Sequence, residues 1–220
     1  MTVFLTGGSR GIGKTIKENF ERNGMNVIAP TRRELDLSNF ESIKEYLDAN
    51  EFLSPDVFVH CAGLNILAGI DSVTDDILQE VFQVNYFAPV QLLRKFTESM
   101  KKNNFGRIVF ISSLYAIISK EKRIAYSSSK NALTGLCKTL TLELAPFNIL
   151  TNQVAPGYVM TDMTEKNLSK DEITNIGKGI PTGRFQTSQE IADLVFFLCS
   201  GQNKSITGQL IAVDGGYTCK

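Results

Sequence analysis

Short apolar runs and stretches of helical spacing alternate from one end of this chain to the other. Val3-Phe-Leu5 is an apolar run ending at a glycine cluster, and Ile12, Ile16 and Phe20 follow at helical spacing. Asn26–Ala29 reads as a second strand, and Ser38 or Asn39 can cap a helix through Asn50. Asp56–His60 is the next strand. Thr74-Asp-Asp starts a long helix that passes Asn85 and runs toward Met100. Arg107–Ile111 is a strand, Tyr126–Ala145 a helix ended by Pro146, and Asn148–Val154 a strand. Thr187-Ser-Gln-Glu190 has capping-box spacing before the apolar helix Ile191–Leu198, and Gln209–Val213 is the last strand. Repeated strand–helix alternation predicts an α/β fold, a doubly wound parallel sheet between two helical layers. Ligands of such a sheet bind at the carboxyl ends of its strands, where the candidate residues below are expected. A chain of 220 residues without a linker suits one domain, 1–220.

Composition narrows the function classes. Apolar residues make up 43% and charged residues 21%, and the formal net charge is zero. That balance offers no electrostatic case for nucleic acid or an anionic membrane. No apolar run approaches the roughly 20 residues that span a bilayer. No signal peptide is visible, because the first strand starts by Val3, so a cytoplasmic location is expected. The four cysteines, Cys61, Cys137, Cys199 and Cys219, show no C-x-x-C pattern and suit thiols in a reducing compartment. His60 is the only histidine. With Cys61 beside it, it falls short of the four ligands usual for a metal, and no metal is expected.

Two motifs carry chemistry. Thr6-Gly-Gly-Ser-Arg-Gly-Ile-Gly13 joins a strand to a helix. Glycines there let backbone approach a pyrophosphate, and a helix N-terminus offers free N–H groups. Its spacing, Gly7, Gly11, Gly13, is not the G-x-G-x-x-G fingerprint. Tyr126 and Lys130 stand four residues apart, hence on one helix face, and Ser113 lies thirteen residues before the tyrosine. A nearby ammonium is expected to lower the phenol pKa and make Tyr126 a proton donor or acceptor at neutral pH.

Together these motifs resemble the short-chain dehydrogenase/reductase (SDR) family, whose fold is of the Rossmann type. The resemblance covers nearly the whole chain, in the family's order: Thr6–Gly13, Asn85 in Val-Asn-Tyr, Ile111-Ser-Ser113, Tyr126 with Lys130, Pro156-Gly157-Tyr-Val-Met-Thr161, and Ile206–Tyr217. The C-terminal half is most similar to 3-oxoacyl-[acyl-carrier-protein] reductases. The resemblance implies an NAD(P)-dependent oxidoreductase with Asn85, Ser113, Tyr126 and Lys130 catalytic. Tyr126 would protonate a substrate carbonyl oxygen and Ser113 stabilise it. Lys130 would lower the Tyr126 pKa and bind the nicotinamide ribose, and Asn85 would hold a water. Implied cofactor contacts are Gly7, Ser9, Arg10, Ile12, Gly13, Arg32, Arg33, Asp36, Leu37, Ala62, Gly63, Tyr126, Lys130, Pro156, Gly157, Val159 and Thr161.

One departure from the family has structural content. Only Pro30–Leu35 separate the second strand from Asp36-Leu37, the adenine-contacting pair, whereas a parallel crossover needs about 10–12 residues. The family's third strand should be missing, leaving a sheet of about six strands. The acid that favours NAD at the second strand's end is replaced by Thr31, followed by Arg32 and Arg33, with Arg10 in the glycine loop. Three guanidiniums suit a 2′-phosphate, so NADPH is expected over NADH.

The substrate is less legible. The carrier-protein reductases place docking arginines near the active-site mouth, at positions matched here by Asn104 and Phe147, neither basic. Lys101, Lys102, Lys120, Lys122 and Arg123 are candidate replacements. An acyl-carrier-protein thioester leads. A sugar or nucleotide-sugar ketone is the alternative, and a cofactor-binding regulator without catalysis is a third reading. Asp162–Ile180, with Met163, Leu168, Ile173 and Ile176, would be a substrate lid. Apolar residues on more than one face of the two long helices predict a homodimer or, preferably, a homotetramer.

Overall fold

Valines and phenylalanines sort to opposite faces of the central sheet. The computed structural model describes residues 1–161, 164 and 169–219. Its strands are β1 (Thr2–Thr6), β2 (Asn26–Ile28), β3 (Val57–His60), β4 (Gly106–Ile111), β5 (Ile149–Pro156) and, at the far edge, β8 (Leu210–Val213). Side chains alternate across a strand. Val3, Leu5, Val57, Val59, Val109 and Ile111 therefore face one helical layer, and Phe4, Phe58, Ile108 and Phe110 the other. The first layer holds α1 (Gly11–Arg22) and α7 (Ser188–Cys199), through Ile16, Phe20, Ile191 and Val195. The second holds α2 (Phe40–Ala49), α4 (Ala88–Lys102) and α5 (Ile124–Leu144), through Ile43, Leu92, Phe96 and Leu133. Strands buried on both faces read as continuous apolar runs, as these do.

Every pair in this sheet is parallel, in the order β2-β1-β3-β4-β5-β8, six strands among the described residues. The chain goes from β2 to α2 without an intervening strand, as the short spacer requires. Asn39, not Ser38, caps α2, its side chain accepting from the N–H groups of Glu41 and Ser42. Strand order reverses between β1 and β3, which opens the crevice at their carboxyl ends.

The helix expected from Thr74 to Met100 is interrupted. Thr74 caps α3 (Asp75–Phe82), and one π turn, Gln83–Phe87, joins it to α4. Such a bulge is common at functional sites, and it carries Asn85. Helix α5 begins at Ile124, two residues before the sequence places it. Sequence periodicity gave no sign of β6 (Val159–Met160) and β7 (Gln186–Thr187), a parallel pair too short to show any. Thr187 and Glu190 form the capping box the spacing predicts. Helix α6 (Lys170–Lys178) carries Ile173 and Ile176 of the expected lid, both partly buried. Asp162, Met163 and Leu168 lie outside the described residues.

Apolar residues on the two long helices are mostly accounted for within the protomer. Leu92, Leu93, Phe96, Leu133 and Leu144 are buried, Phe82, Leu136 and Leu140 partly so, and only Phe87 and Leu142 stay exposed.

Candidate active site

Strand ends, rather than loops, hold the central groups. Thr6 ends β1 and His60 ends β3, and their side chains meet, Oγ1 to Nδ1, at 2.9 Å. Thr6 Oγ1 also accepts from the Ala62 N–H at 3.2 Å. The Thr6 hydroxyl thus ties the end of β3 to the turn that follows it. Burial, then the Lys130 charge, push the imidazole down to about 3, against the Val84 carbonyl in the π turn. His60 is therefore neutral at any physiological pH. Cys61 turns back under the glycine loop, and burial pushes its thiol up to about 12 although Lys130 opposes this. Among the described residues no group of three or more metal-ligating side chains exists.

The glycine turn fits a dinucleotide. Gly7 has φ +74° and Gly11 φ +52°, values that favour glycine. A Cβ on Gly7 would stand 2.6 Å from the Ala62 nitrogen, and one on Gly13 would collide with the Gly7 carbonyl. Arg10 begins α1 without a side-chain cap, and the first turn holds no acid, so its N–H groups face no carboxylate of their own helix. Ser9 and Arg10 are exposed and Ile12 partly buried. Thr161, after β6, closes over the turn, with Cγ2 3.8 Å from where a Gly11 Cβ would be. Gly157 packs against Asp214 so closely that a Cβ would stand 2.7 Å from its Cα, and Pro156 and Val159 are buried beside it. These segments bound the end of the crevice where the resemblance implies the nicotinamide.

At the adenine end, Gly8 and Ala29 abut, which sets the end of β2 beside the glycine turn. Arg32 lies 3.5 Å from Asp36, and Arg33 is exposed. The Asp36 carboxylate accepts from Ser38 N at 3.0 Å and from its hydroxyl at 2.7 Å; that hydroxyl chiefly holds its pKa below the ordinary value. Glu34 accepts from the backbone and hydroxyl of Thr31, at 2.7 and 2.9 Å. The Leu37 carbonyl takes a bond from Gln83.

The catalytic candidates converge from three elements. Lys130 is 2% exposed, and its ammonium donates to the Ile111 carbonyl at 2.8 Å, at the end of β4. Burial lowers its pKa to about 8, which leaves it charged at neutral pH. Gly63 runs alongside: a Cβ there would stand 3.4 Å from Lys130 Nζ and 3.6 Å from Asn85 Oδ1. Lys130 Nζ lies 5.7 Å from the Tyr126 ring centroid. The Tyr126 pKa is raised, not lowered as the Tyr–Lys spacing predicts. Burial outweighs the Ser113 hydroxyl and the Arg123 charge, which both pull it down. Ser113 itself starts a 3-10 turn, accepting from Tyr115 N at 3.2 Å.

Asn85 is fully buried and clamps this arrangement. Its Oδ1 accepts from Leu64 N at 2.8 Å, and its Nδ2 donates to Leu64 O at 3.0 Å and to Ser129 Oγ at 2.9 Å. Ser129 in turn donates to the Tyr126 carbonyl at 2.8 Å. Both hydrogens of the side-chain amide are thus spent on protein. Asn104 and Phe147, the positions matched to docking arginines, lie at the amino ends of β4 and β5, where Asn148 bonds the Asn104 carbonyl. They stand a strand length, about 20 Å, from Tyr126 in the same protomer, so they do not flank its mouth.

Several contributors escaped the sequence reading. Thr6, Leu64 and Ser129 act through ordinary backbone or hydroxyl contacts that no motif advertises. Tyr115, Tyr158 and Tyr217 come from three separate segments. Tyr115 meets Tyr126 edge-on at 6.4 Å, and Tyr158 meets Tyr217 at 5.2 Å. The Tyr158 phenol is pushed up by burial and by the Tyr217 and Tyr115 hydroxyls facing it.

A family model described as enoyl-(acyl carrier protein) reductase matches residues 29–218. The chain is 34% identical to the 3-oxoacyl-[acyl-carrier-protein] reductase FabG of Aquifex aeolicus, over 96% of this chain and 95% of that protein. A short-chain dehydrogenase family protein from Francisella tularensis superposes with a TM-score of 0.87 at 29% identity, covering 100% of this chain and 99% of the other. A 4-hydroxyisoleucine dehydrogenase complexed with NADH gives 0.92 at 29% identity, with the same coverage. The glycine turn, the Tyr126–Lys130 pair and these likenesses agree: the chain belongs to the short-chain dehydrogenase/reductase family of oxidoreductases.

Proposed function

We propose that the chain is an NADPH-dependent reductase that converts a substrate carbonyl to an alcohol, with a 3-oxoacyl-[acyl-carrier-protein] thioester as the substrate its curated relatives favour. The observation that carries this reading is the convergence of Tyr126, Lys130 and Ser113 at the carboxyl end of β4, in a fold whose glycine turn is uncapped. Gly7, Ser9, Arg10, Ile12 and Gly13 would hold the pyrophosphate. Arg10, Arg32 and Arg33 would take the 2′-phosphate, and Asp36 and Leu37 would border the adenine. Ala62, Gly63, Lys130, Pro156, Gly157, Val159 and Thr161 would enclose the ribose and nicotinamide. When bound, the cofactor supplies hydride to the carbonyl carbon.

Tyr126 gives its phenol proton to the carbonyl oxygen as charge builds there. Its raised pKa keeps that proton in place until the substrate arrives. The Ser113 hydroxyl donates to the same oxygen. Lys130, charged and anchored on Ile111, stabilises the phenolate left behind. Asn85 holds Leu64 and Ser129, and through Ser129 the Tyr126 backbone, so the tyrosine does not drift.

A second reading, a sugar-type ketone, draws on the Tyr115, Tyr158 and Tyr217 hydroxyls around the catalytic tyrosine. Their polarity suits hydroxylated substrates better than an acyl chain. The chain would work in the cytoplasm as one domain and as a homodimer or homotetramer, with Phe87 and Leu142 left for a partner copy. The test is loss of reduced-nicotinamide absorbance with 3-oxoacyl-carrier-protein thioesters and with polar ketones, each with NADPH and NADH. No turnover of any carbonyl compound, oxo acids included, with either cofactor would overturn the reading.

A further inference from the structure

Arg123 is a cation without an acid beside the proton donor. It precedes α5 and stands three residues before Tyr126, so both side chains leave the same side of the helix start. Its guanidinium stacks over the Tyr115 ring at 5.2 Å, and that ring meets Tyr126 edge-on at 6.4 Å. It has no ion pair or side-chain hydrogen bond among the described residues, and its Nε is buried with no partner. A buried donor left unmatched is unfavourable, and bound substrate is the natural source of an acceptor. The Tyr115 ring holds the guanidinium in place, and its terminal nitrogens make no hydrogen bond among the described residues, so they are left for the two-pronged contact carboxylates make.

We infer that Arg123 anchors a carboxylate on the substrate, so that the preferred substrates are small oxo acids. This rests on the carbonyl-reductase reading and sets a free oxo acid in place of the carrier-protein thioester, whose acyl group offers no carboxylate. A single guanidinium matches a monoanion, because Lys130, the other cation near Tyr126, is spent on the Ile111 carbonyl. The Tyr115 and Tyr158 hydroxyls add neutral donors around the same space. The Arg123 charge also acts on the Tyr126 phenol, which places the two groups within electrostatic reach.

The test compares 2-, 3- and 4-oxo acids with their methyl esters, in the native protein and in Arg123→Gln and Arg123→Lys. The native kcat/KM should favour at least one acid over its ester by about 10-fold or more, and Arg123→Gln should collapse that ratio by about 10–100-fold. Arg123→Lys, keeping charge without the fork, should fall between. A native ratio of one or less throughout the series, or a ratio that survives Arg123→Gln, overturns the inference. Thermal unfolding with saturated monocarboxylates and their amides gives a readout free of turnover. Stabilisation by the acid form alone, absent in Arg123→Gln, supports the inference, and equal responses to acid and amide overturn it. Carboxylate-specific stabilisation without reduction of any ketone would sink the reductase reading and leave Arg123 as an anion site. Equal reduction of acid and ester would do the reverse.

Discussion

At the proposed nicotinamide end of the crevice, Lys130 is 2% exposed and bonded to a carbonyl nineteen residues away; at the proposed adenine end, the Arg32 side chain is 77% exposed and paired with Asp36, four residues away. The contrast runs through both regions. Thr6 bonds His60 and Ala62 across 54 and 56 residues, and Asn85 reaches Ser129 across 44. Thr31–Glu34, Asp36–Ser38 and Asp36–Ser42 span three, two and six. Long-range bonds form only when the sheet has assembled, so catalytic geometry is locked to the folded state. Near-neighbour bonds make a local turn that Leu35 pins to the core. Dropping a strand between β2 and α2 therefore disturbs local turns and spares the catalytic floor. The bonds from Gln83 and Gln91 to the carbonyls of Leu37 and Phe40 are the long-range ties that remain at the adenine end.

The largest effect should come from the buried end. Tyr126→Phe removes only the proton donor, so carbonyl reduction should fall by about 10²–10⁴-fold while NADPH still binds. Reduction at the native rate would remove Tyr126 from the mechanism, and loss of cofactor binding would assign it to folding.

Next is acid stability. His60 titrates at about 3 when folded against 6.5 ordinarily. Between those values the unfolded chain binds more protons, so stability is complete above pH 6.5 and declines as pH falls through the window. Roughly 3 kcal/mol should be gone by pH 4. Denaturant melts of the native protein and of His60→Gln at pH 7 and pH 4 measure this. An equal drop in both would show that the Thr6–His60 contact does not couple the central strands to pH.

At the exposed end the effect should be smaller and sensitive to salt. Replacing Arg32 and Arg33 together should weaken NADPH by about 10–100-fold and NADH far less, with the gap narrowing as ionic strength rises. Equal affinity of the native protein for both cofactors, by titration of nucleotide fluorescence, would end the 2′-phosphate assignment.

The smallest effect tests whether the adenine end borrows support from a second copy. Phe40 and Phe87, 52% and 43% exposed, meet at 6.3 Å beside this loop. If a partner covers them, light scattering should show a dimer or tetramer, and Phe87→Lys should shift it toward the protomer by about tenfold in dissociation constant. A mass near 24.3 kDa for the native protein at micromolar concentration would leave the adenine end with its own local turns alone.

Sequence alone determined the alternation of strands and helices, the missing strand and the glycine turn. Each rests on local rules: strand burial on both faces, the reach of a six-residue spacer, and backbone angles open to glycine. It also placed Tyr126, Lys130 and Ser113, because helix pitch and strand ends are local geometry. Tertiary structure decided the rest. The direction of the Tyr126 pKa depends on how much water the assembled site excludes, and burial there exceeds the pull of neighbouring hydroxyl and charge. The Asn85 side chain could be assigned its partners only once the π turn brought it to Leu64 and Ser129. Arg123 was one of five candidate docking cations until Tyr115 was placed under its guanidinium. Such contacts join residues far apart in the chain or set by exact packing, and no period or spacing encodes them.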